Sequence, residues 1–288
     1  MAAIATTMLV LAPSAADAQA WTRQQGAGFA ALSYRRIASD SLYTPDGEKR
    51  PLASTYTQHN VGLYGEVGLV DRWLTASVDS ELFRYSALEG QGATYGLGDL
   101  RLSAFSGVLV APFRLAVGLQ LGVPTGDPTP DAPGGDPDSQ AVARLLPTGD
   151  GEWDVSAKVV FGHSFGGTAS YPLAHWLVAD VGYWLRTRGF FDAISYRVEL
   201  GTKIAREDWD RIALILRVFG LESFAGSNAG AGFAGLGDGV SYTAFGVDLM
   251  ARVLGPAGLT VGFDGAFRGR NVPAAFALKL SIYTTFGP

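Results

Sequence analysis

From residue 27 onward, apolar and polar positions alternate along most of the chain. In the last segment Ala274, Phe276, Leu278, Leu280, Ile282 and Phe286 share one face, opposed by Ala275, Ala277, Lys279, Ser281, Tyr283 and Thr285. Upstream, Leu259, Val261, Phe263 and Phe267 oppose Thr260, Gly262, Asp264, Ala266 and Arg268. Trp153, Val155, Ala157, Val159 and Phe161 likewise oppose Asp154, Ser156, Lys158, Val160 and Gly162. Period two over such lengths predicts strands with two unlike faces. About twelve segments follow the rule, at 27–37, 56–69, 73–84, 96–107, 112–123, 152–164, 174–187, 193–206, 209–221, 241–253, 258–269 and 274–286. Most span roughly 9–14 residues, at or above the length of a tilted strand that crosses a bilayer.

The chemistry of the two faces separates a membrane barrel from a soluble sandwich, which would also alternate. The second face is built from Gly, Ser, Thr and isolated charges, often with the opposite sign close by, as in Asp99 with Arg101 and Arg197 with Glu199. Small and paired polar groups suit a crowded, wet interior. In the central stretches quoted above, the apolar face carries no Arg, Lys, Asp or Glu; a basic residue there would cost about 2–4 kcal/mol at the bilayer midplane. The predicted fold is therefore all-β, a transmembrane antiparallel barrel of about twelve strands occupying residues 21–288.

Connection lengths orient it. Turns near 70–72, 108–111, 207–208 and 254–257 are short, whereas those at 38–55, 85–95, 124–151 and 222–240 are long. With a periplasmic N-terminus every long loop lies outside, the outer-membrane arrangement. Aromatics at segment ends predict two interfacial girdles, Trp73, Phe113, Trp176, Trp209 and Phe286 inside, Phe83, Trp153, Phe191 and Tyr242 outside.

The first twenty residues, MAAIATTMLVLAPSAADAQA, hold a short apolar run and an Ala18-Gln19-Ala20 cleavage pattern. They read as a secretory signal peptide over 1–20, although no Lys or Arg precedes the apolar run. Localisation in the outer membrane of a Gram-negative bacterium follows. The 27 acidic and 22 basic side chains nearly balance, so no nucleic-acid partner is implied, and the absence of cysteine excludes disulfide and thiolate chemistry.

Four stretches, GLGDLRLSAFSGVL (96–109), LQLGVPTGDPTP (119–130), LPTGDGEWDVSAKVVFGHSF (146–165) and LVADVGYWLRTRG (177–189), resemble the outer-membrane transporter-type family named for the meta-pathway of phenol degradation. The resemblance is clear over the middle third and rests elsewhere on pattern. It implies an outer-membrane barrel taking up small, frequently aromatic compounds, and it carries no defined binding site.

Gly162-His163-Ser164-Phe165-Gly166 fits the G-x-S-x-G nucleophile elbow of α/β-hydrolases. That chemistry needs an acid and then a histidine after the serine. Only His175 follows Ser164, and no carboxylate lies between them. A barrel phospholipase would need serine and histidine on one face, but parity turns His163 and His175 outward and Ser164 inward. Interfacial anchoring is the simpler role for the histidines, and the chain is not expected to be an enzyme. In the 124–151 loop, Asp127, Asp131, Asp136 and Asp138 could supply Ca²⁺ oxygens, but the spacing is not that of an EF-hand and suits turns equally well. No cofactor is expected.

Arg35, Arg186, Arg188, Arg197, Arg268 and Arg270 gather toward the predicted outer mouth. They would form an electropositive ring attracting anionic solutes, or pair with Glu66, Glu81, Asp99, Asp180 and Glu199 in a salt-bridged lumen. Trp184, also inward, would stack on an aromatic solute. The sequence thus predicts a channel for small aromatic or anionic compounds with the 124–151 loop as its constriction. A plugged barrel with a structural or surface-binding role is the alternative. Besides lipid and solute, the expected partner is the barrel assembly machinery, through the last strand near Phe286.

Overall fold

The computed structural model describes residues 22–131, 137–167, 173–203, 212–225 and 232–288. The strands are β1 (Gly28–Tyr43), β2 (Lys49–Val70), β3 (Leu74–Leu88), β4 (Gly92–Gly96), β5 (Leu100–Leu109), β6 (Arg114–Val123) and β7 (Asp154–Gly166). They continue with β8 (Ala174–Arg186), β9 (Ala193–Lys203), β10 (Ile212–Ser223), β11 (Ser241–Leu254), β12 (Ala257–Arg270), β13 (Val272–Pro273) and β14 (Phe276–Phe286). Each long strand pairs antiparallel with its neighbours in chain order. β14 returns to β1 from Gly28↔Phe286 to Ile37↔Ala277, and β1 also pairs with β2, so the sheet closes. Twelve strands form the barrel; β4 and β13 are short external pieces on β3 and β1. Closure leaves no strand edge to be satisfied by lipid, the condition for crossing a bilayer with strands.

The two faces separate as the alternation requires. Val117, Leu119, Val159, Val261, Leu278 and Ile282 are exposed on the outside, while Ser156, Val160, Asp248 and Asp264 are buried within. Near the strand ends Trp73, Phe113, Phe286, Phe83, Trp153 and Phe191 are exposed, forming the expected girdles. Two assigned girdle members belong inside. Trp176 is only 3% exposed, within the lumen, and Tyr242 lines the interior cavity. Both share parity with inward neighbours, Val178 and Ala244, and parity rather than position along the strand decides which side of the wall a residue takes. Trp209 lies outside the described residues.

The ladder also runs beyond the predicted strand ends. Most of the 38–55 loop is a hairpin of β1 and β2, turning at Thr44–Glu48, where the Thr44 N–H donates to the Glu48 carbonyl at 2.9 Å. Likewise β3 continues to Leu88 and returns as β4. The β1–β2 extension carries polar residues on both faces, so alternation fades there while the backbone pairing continues. The 124–151 loop contains one short helix, α1 (Pro137–Ala143), begun by a proline that has no N–H to leave unpaired. The proposed signal peptide lies outside the described residues.

Candidate functional site

The periplasmic end of the lumen is filled. Phe105, Trp176, Val178, Ile215, Met250 and Tyr283 are buried in one apolar cluster, and Phe29 stacks on Tyr283 with ring centroids 5.6 Å apart. The indole of Trp176 lies across Gly201 and the ring of Phe105 across Gly118, where a Cβ would collide with each. This accounts for glycines on the inward face: each gives a large neighbour room to lie flat. The Trp176 Nε1–H donates to Glu199 at 3.1 Å. Residues ahead of β1 add to the seal. Arg23 pairs with Glu66, and its backbone N–H donates to the Thr75 hydroxyl at 2.8 Å.

Above this floor lies a cavity of about 600 Å³. Seven basic side chains line it, Arg35, Arg84, Arg101, Lys158, Arg197, Arg217 and Lys279, against the three carboxylates Glu81, Asp180 and Asp264. Part of the charge is spent internally. Arg217 meets Asp248 at 2.5 Å, Asp248 meets Lys279 at 3.0 Å, Lys279 meets Asp264 at 3.1 Å, and Asp264 meets Arg35 at 3.0 Å. This alternating chain of five charges begins and ends in arginine. Gly262 makes it possible, because Asp248 occupies the space its Cβ would need. Arg197 holds Asp180 at 2.6 Å, and Lys158 donates to Gln120 at 2.8 Å. Arg101 lies 5.3 Å over the Trp184 ring, an electrostatic contact with the ring face. Phe219, Tyr242, Ala244 and Ala266 add apolar surface beside these charges, with the Arg217 guanidinium 5.7 Å over the Phe219 ring.

The outer mouth is covered by loops. The string Pro-Thr-Gly-Asp occurs at 124–127 and again at 147–150, and the copies clasp one another. Asp127 N–H donates to the Thr148 hydroxyl and Thr148 N–H to the Asp127 carbonyl, both at 2.9 Å. Asp99 binds both copies, accepting from Gly126 N–H at 3.0 Å and Asp150 N–H at 2.9 Å. Asp150 in turn accepts from Gly237 N–H at 2.5 Å. That bond draws in the 232–240 segment, whose Ala234, Gly235 and Leu236 roof the cavity. Phe233 packs edge-on against Tyr56, with Leu88 and Leu146 beside them. Burial raises the Asp150 carboxyl above its ordinary range. Glu152 pairs with Arg186, yet burial outweighs the partner's pull and raises the Glu152 carboxyl to about 7.

The arginines expected as one ring are distributed among different environments. Arg35 and Arg197 line the cavity. Arg186 is buried against Asp150 and Glu152, and Arg270 is tied to Glu222 and the Ala225 carbonyl. Arg188 is exposed in the β8–β9 turn. Arg268 is exposed at the rim beside Glu222, turned by an irregularity in the β11–β12 register. Among the acids, Glu81 and Asp180 line the cavity, Glu66 and Glu199 belong to the floor, and Asp99 is the pin of the clasp. Trp184 faces inward and donates to Ser195 at 3.1 Å. The reading of single segments did not name Arg84, Arg101, Lys158, Arg217 or Lys279 as lumen candidates; parity places all but Arg84 inward, and Arg84 turns inward through a register irregularity at Leu82.

The calcium candidates do not converge among the described residues. Asp127 caps the Thr129 N–H at 2.8 Å, Asp131 accepts from Gln140, and Asp138 sits in the first turn of α1; Asp136 lies outside the described residues. No group of three His, Asp or Glu that could hold a metal occurs among the described residues. Two of the three histidines form an interfacial stack: His163 lies 4.6 Å from Phe113, and Phe165 stands between His163 and His175 at 6.0 and 5.1 Å. Ser164 is register partner to the inward Trp176 and so faces away from both.

No protein-family model matches the sequence, and no curated protein matches it. Solved structures do. The COG4313 outer membrane channel from Pseudomonas putida F1 superposes with a TM-score of 0.67 at 18% identity, over 96% of this chain and 100% of that one. The fold is that of an outer-membrane β-barrel. The NanC porin also superposes, with a TM-score of 0.51 at 9% identity, over 90% of this chain and 100% of the other. At these identities the likeness is one of architecture.

Proposed function

We propose that the chain is an outer-membrane channel for small amphipathic anions, with an aromatic carboxylate as the representative solute. One observation carries this reading: the cavity of about 600 Å³ is lined by seven basic groups and three acidic ones, with Asp248 and Glu199 paired to the same bases, and places Phe219, Tyr242 and Ala244 beside those charges. A carboxylate would find donors at Arg197, Arg101 and Lys158, while a ring would lie against that apolar surface. Uptake of aromatic compounds, implied by the family resemblance, is compatible with that pairing. The outer-membrane fold of the superposed channel and porin supports the setting. Passage to the periplasm requires the Phe105–Trp176 floor to move.

The test is flux of benzoate into vesicles containing the folded protein, compared with neutral benzamide. Benzoate passes faster, and Arg197→Gln removes the preference. Equal rates for the two solutes would contradict the proposal. The apolar floor favours a second reading, a plugged barrel that binds without transporting, in which benzoate binds the protein but never reaches the vesicle interior.

A further inference from the structure

One row on the outer surface of the wall departs from the apolar rule. Leu278 of β14 is register partner to Arg36 of β1, Arg36 to His59 of β2, His59 to Tyr85 of β3, and Tyr85 to Tyr95 of β4. Their chain neighbours Ile37, Gln58, Ser86 and Thr94 are buried inside, so the row itself points outward. Arginine, histidine and two tyrosines thus stand side by side across four strands, over on the order of 14 Å.

The surface changes character at this row. The outward row below it is Tyr34, Val61 and Phe83, side chains of the kind that meet hydrocarbon at a membrane boundary. The row above is Ala38, Thr57, Ala87 and Ala93, small residues that leave a shallow shelf over the rings. Arg36 is exposed, and its guanidinium has no partner among the described residues. Asp40, the next acid along the strand, accepts instead from the Thr55 hydroxyl at 2.8 Å. An outward basic side chain is costly at the bilayer midplane and tolerated at the interface, where it reaches anionic headgroups. The neighbouring rings are held in place. The Tyr34 hydroxyl lies 2.6 Å from Nδ1 of His59, and the His59 ring is 5.9 Å from that of Tyr34 and 5.7 Å from that of Tyr85. Tyr95 is 64% exposed at the end of the row.

We propose that the Arg36–His59–Tyr85–Tyr95 row is a binding site for the phosphorylated saccharide headgroup of an outer-leaflet glycolipid, lipid A. The Arg36 fork takes a phosphate oxygen pair. With the Tyr34 hydroxyl donating to Nδ1, the His59 ring carries its proton on Nε2 and donates it to the same phosphate. The sugar rests on the small-residue shelf against the faces of Tyr85 and Tyr95, and the acyl chains descend past Tyr34 and Leu278. None of the four residues lines the interior cavity, so the site is independent of what crosses the lumen.

The test is native mass spectrometry of the folded full-length barrel in detergent micelles, titrated with bisphosphorylated lipid A. Arg36→Gln is expected to weaken binding roughly tenfold or more, as loss of a hydrogen bond to a charged group does. Arg188→Gln, in the exposed β8–β9 turn, should bind as the parent does. Dioleoyl phosphatidic acid, which offers the phosphate without the sugar, should bind the parent more weakly than lipid A. Tyr95→Ala should weaken lipid A and leave phosphatidic acid unchanged. Lipid A binding that is indifferent to Arg36→Gln overturns the site. Equal affinity for the two lipids overturns the glycolipid assignment, as does displacement of lipid A by millimolar inorganic phosphate, which would mark a site for the free anion.

Discussion

The carboxylate of Asp99 accepts a hydrogen bond from the backbone N–H of Asp150 at 2.9 Å, joining the end of one barrel strand to the far end of the longest loop. Its second oxygen bond, from Gly126, fixes the near end of that loop as well. A loop of this length would otherwise be free to move. Charge-assisted bonds of this kind contribute roughly 1.5–3 kcal/mol each. Asp99→Ala should therefore weaken the clasp by about 3 kcal/mol and speed proteolysis within 124–151 by roughly a hundredfold while the barrel stays folded. Unchanged cleavage would show that the loop is held by other contacts.

The mouth should respond to pH through Glu152. Its carboxyl is raised to about 7 by burial, against an ordinary value near 4.3 when solvated. Between these values the closed mouth binds a proton that the open one releases, so closure is favoured as pH falls and weakens as pH rises through about 7. Channel opening measured from pH 5 to 8 should increase with pH, and Glu152→Gln should flatten the curve. An opening probability that falls with pH would reverse the assignment.

The floor gives a prediction of its own. Trp176→Ala removes the indole that covers Gly201 and its bond to Glu199. Loss of a buried tryptophan costs about 3–5 kcal/mol. The mutant barrel should conduct more ions than the parent in planar bilayers. Conductance equal to that of the parent would place the constriction elsewhere.

Selectivity should follow the arginines that line the cavity rather than those at the rim. Arg35→Gln and Arg197→Gln should each lower the preference for anions, whereas Arg188→Gln and Arg268→Gln should leave it unchanged. An equal effect from all four would favour a field set by the whole mouth.

Much of this architecture was legible in the sequence because the bilayer demands it. A lipid face free of charge in its central stretches and an inward face of Gly, Ser and paired ions produce an alternation that survives at Leu278 and Lys279 as clearly as anywhere. Strand ends above the membrane were hidden, since β1 and β2 carry polar residues on both faces there. The charged lumen could be anticipated one strand at a time, but the Arg217–Asp248–Lys279–Asp264–Arg35 chain depends on register across four further strands. The repeated Pro-Thr-Gly-Asp string was visible, yet its two copies look like independent strand ends until Asp99 brings them together. Trp176 could have been placed correctly from its parity with Val178; its position near a strand end suggested an interface residue instead.

The central claim is that anions pass through this lumen. Its most direct test is the reversal potential of the folded wild-type protein in a planar bilayer under a potassium chloride gradient. Discrete conductance steps with a reversal potential of the sign set by chloride are expected. No steps in wild type or Trp176→Ala, or a reversal potential set by potassium, would contradict it.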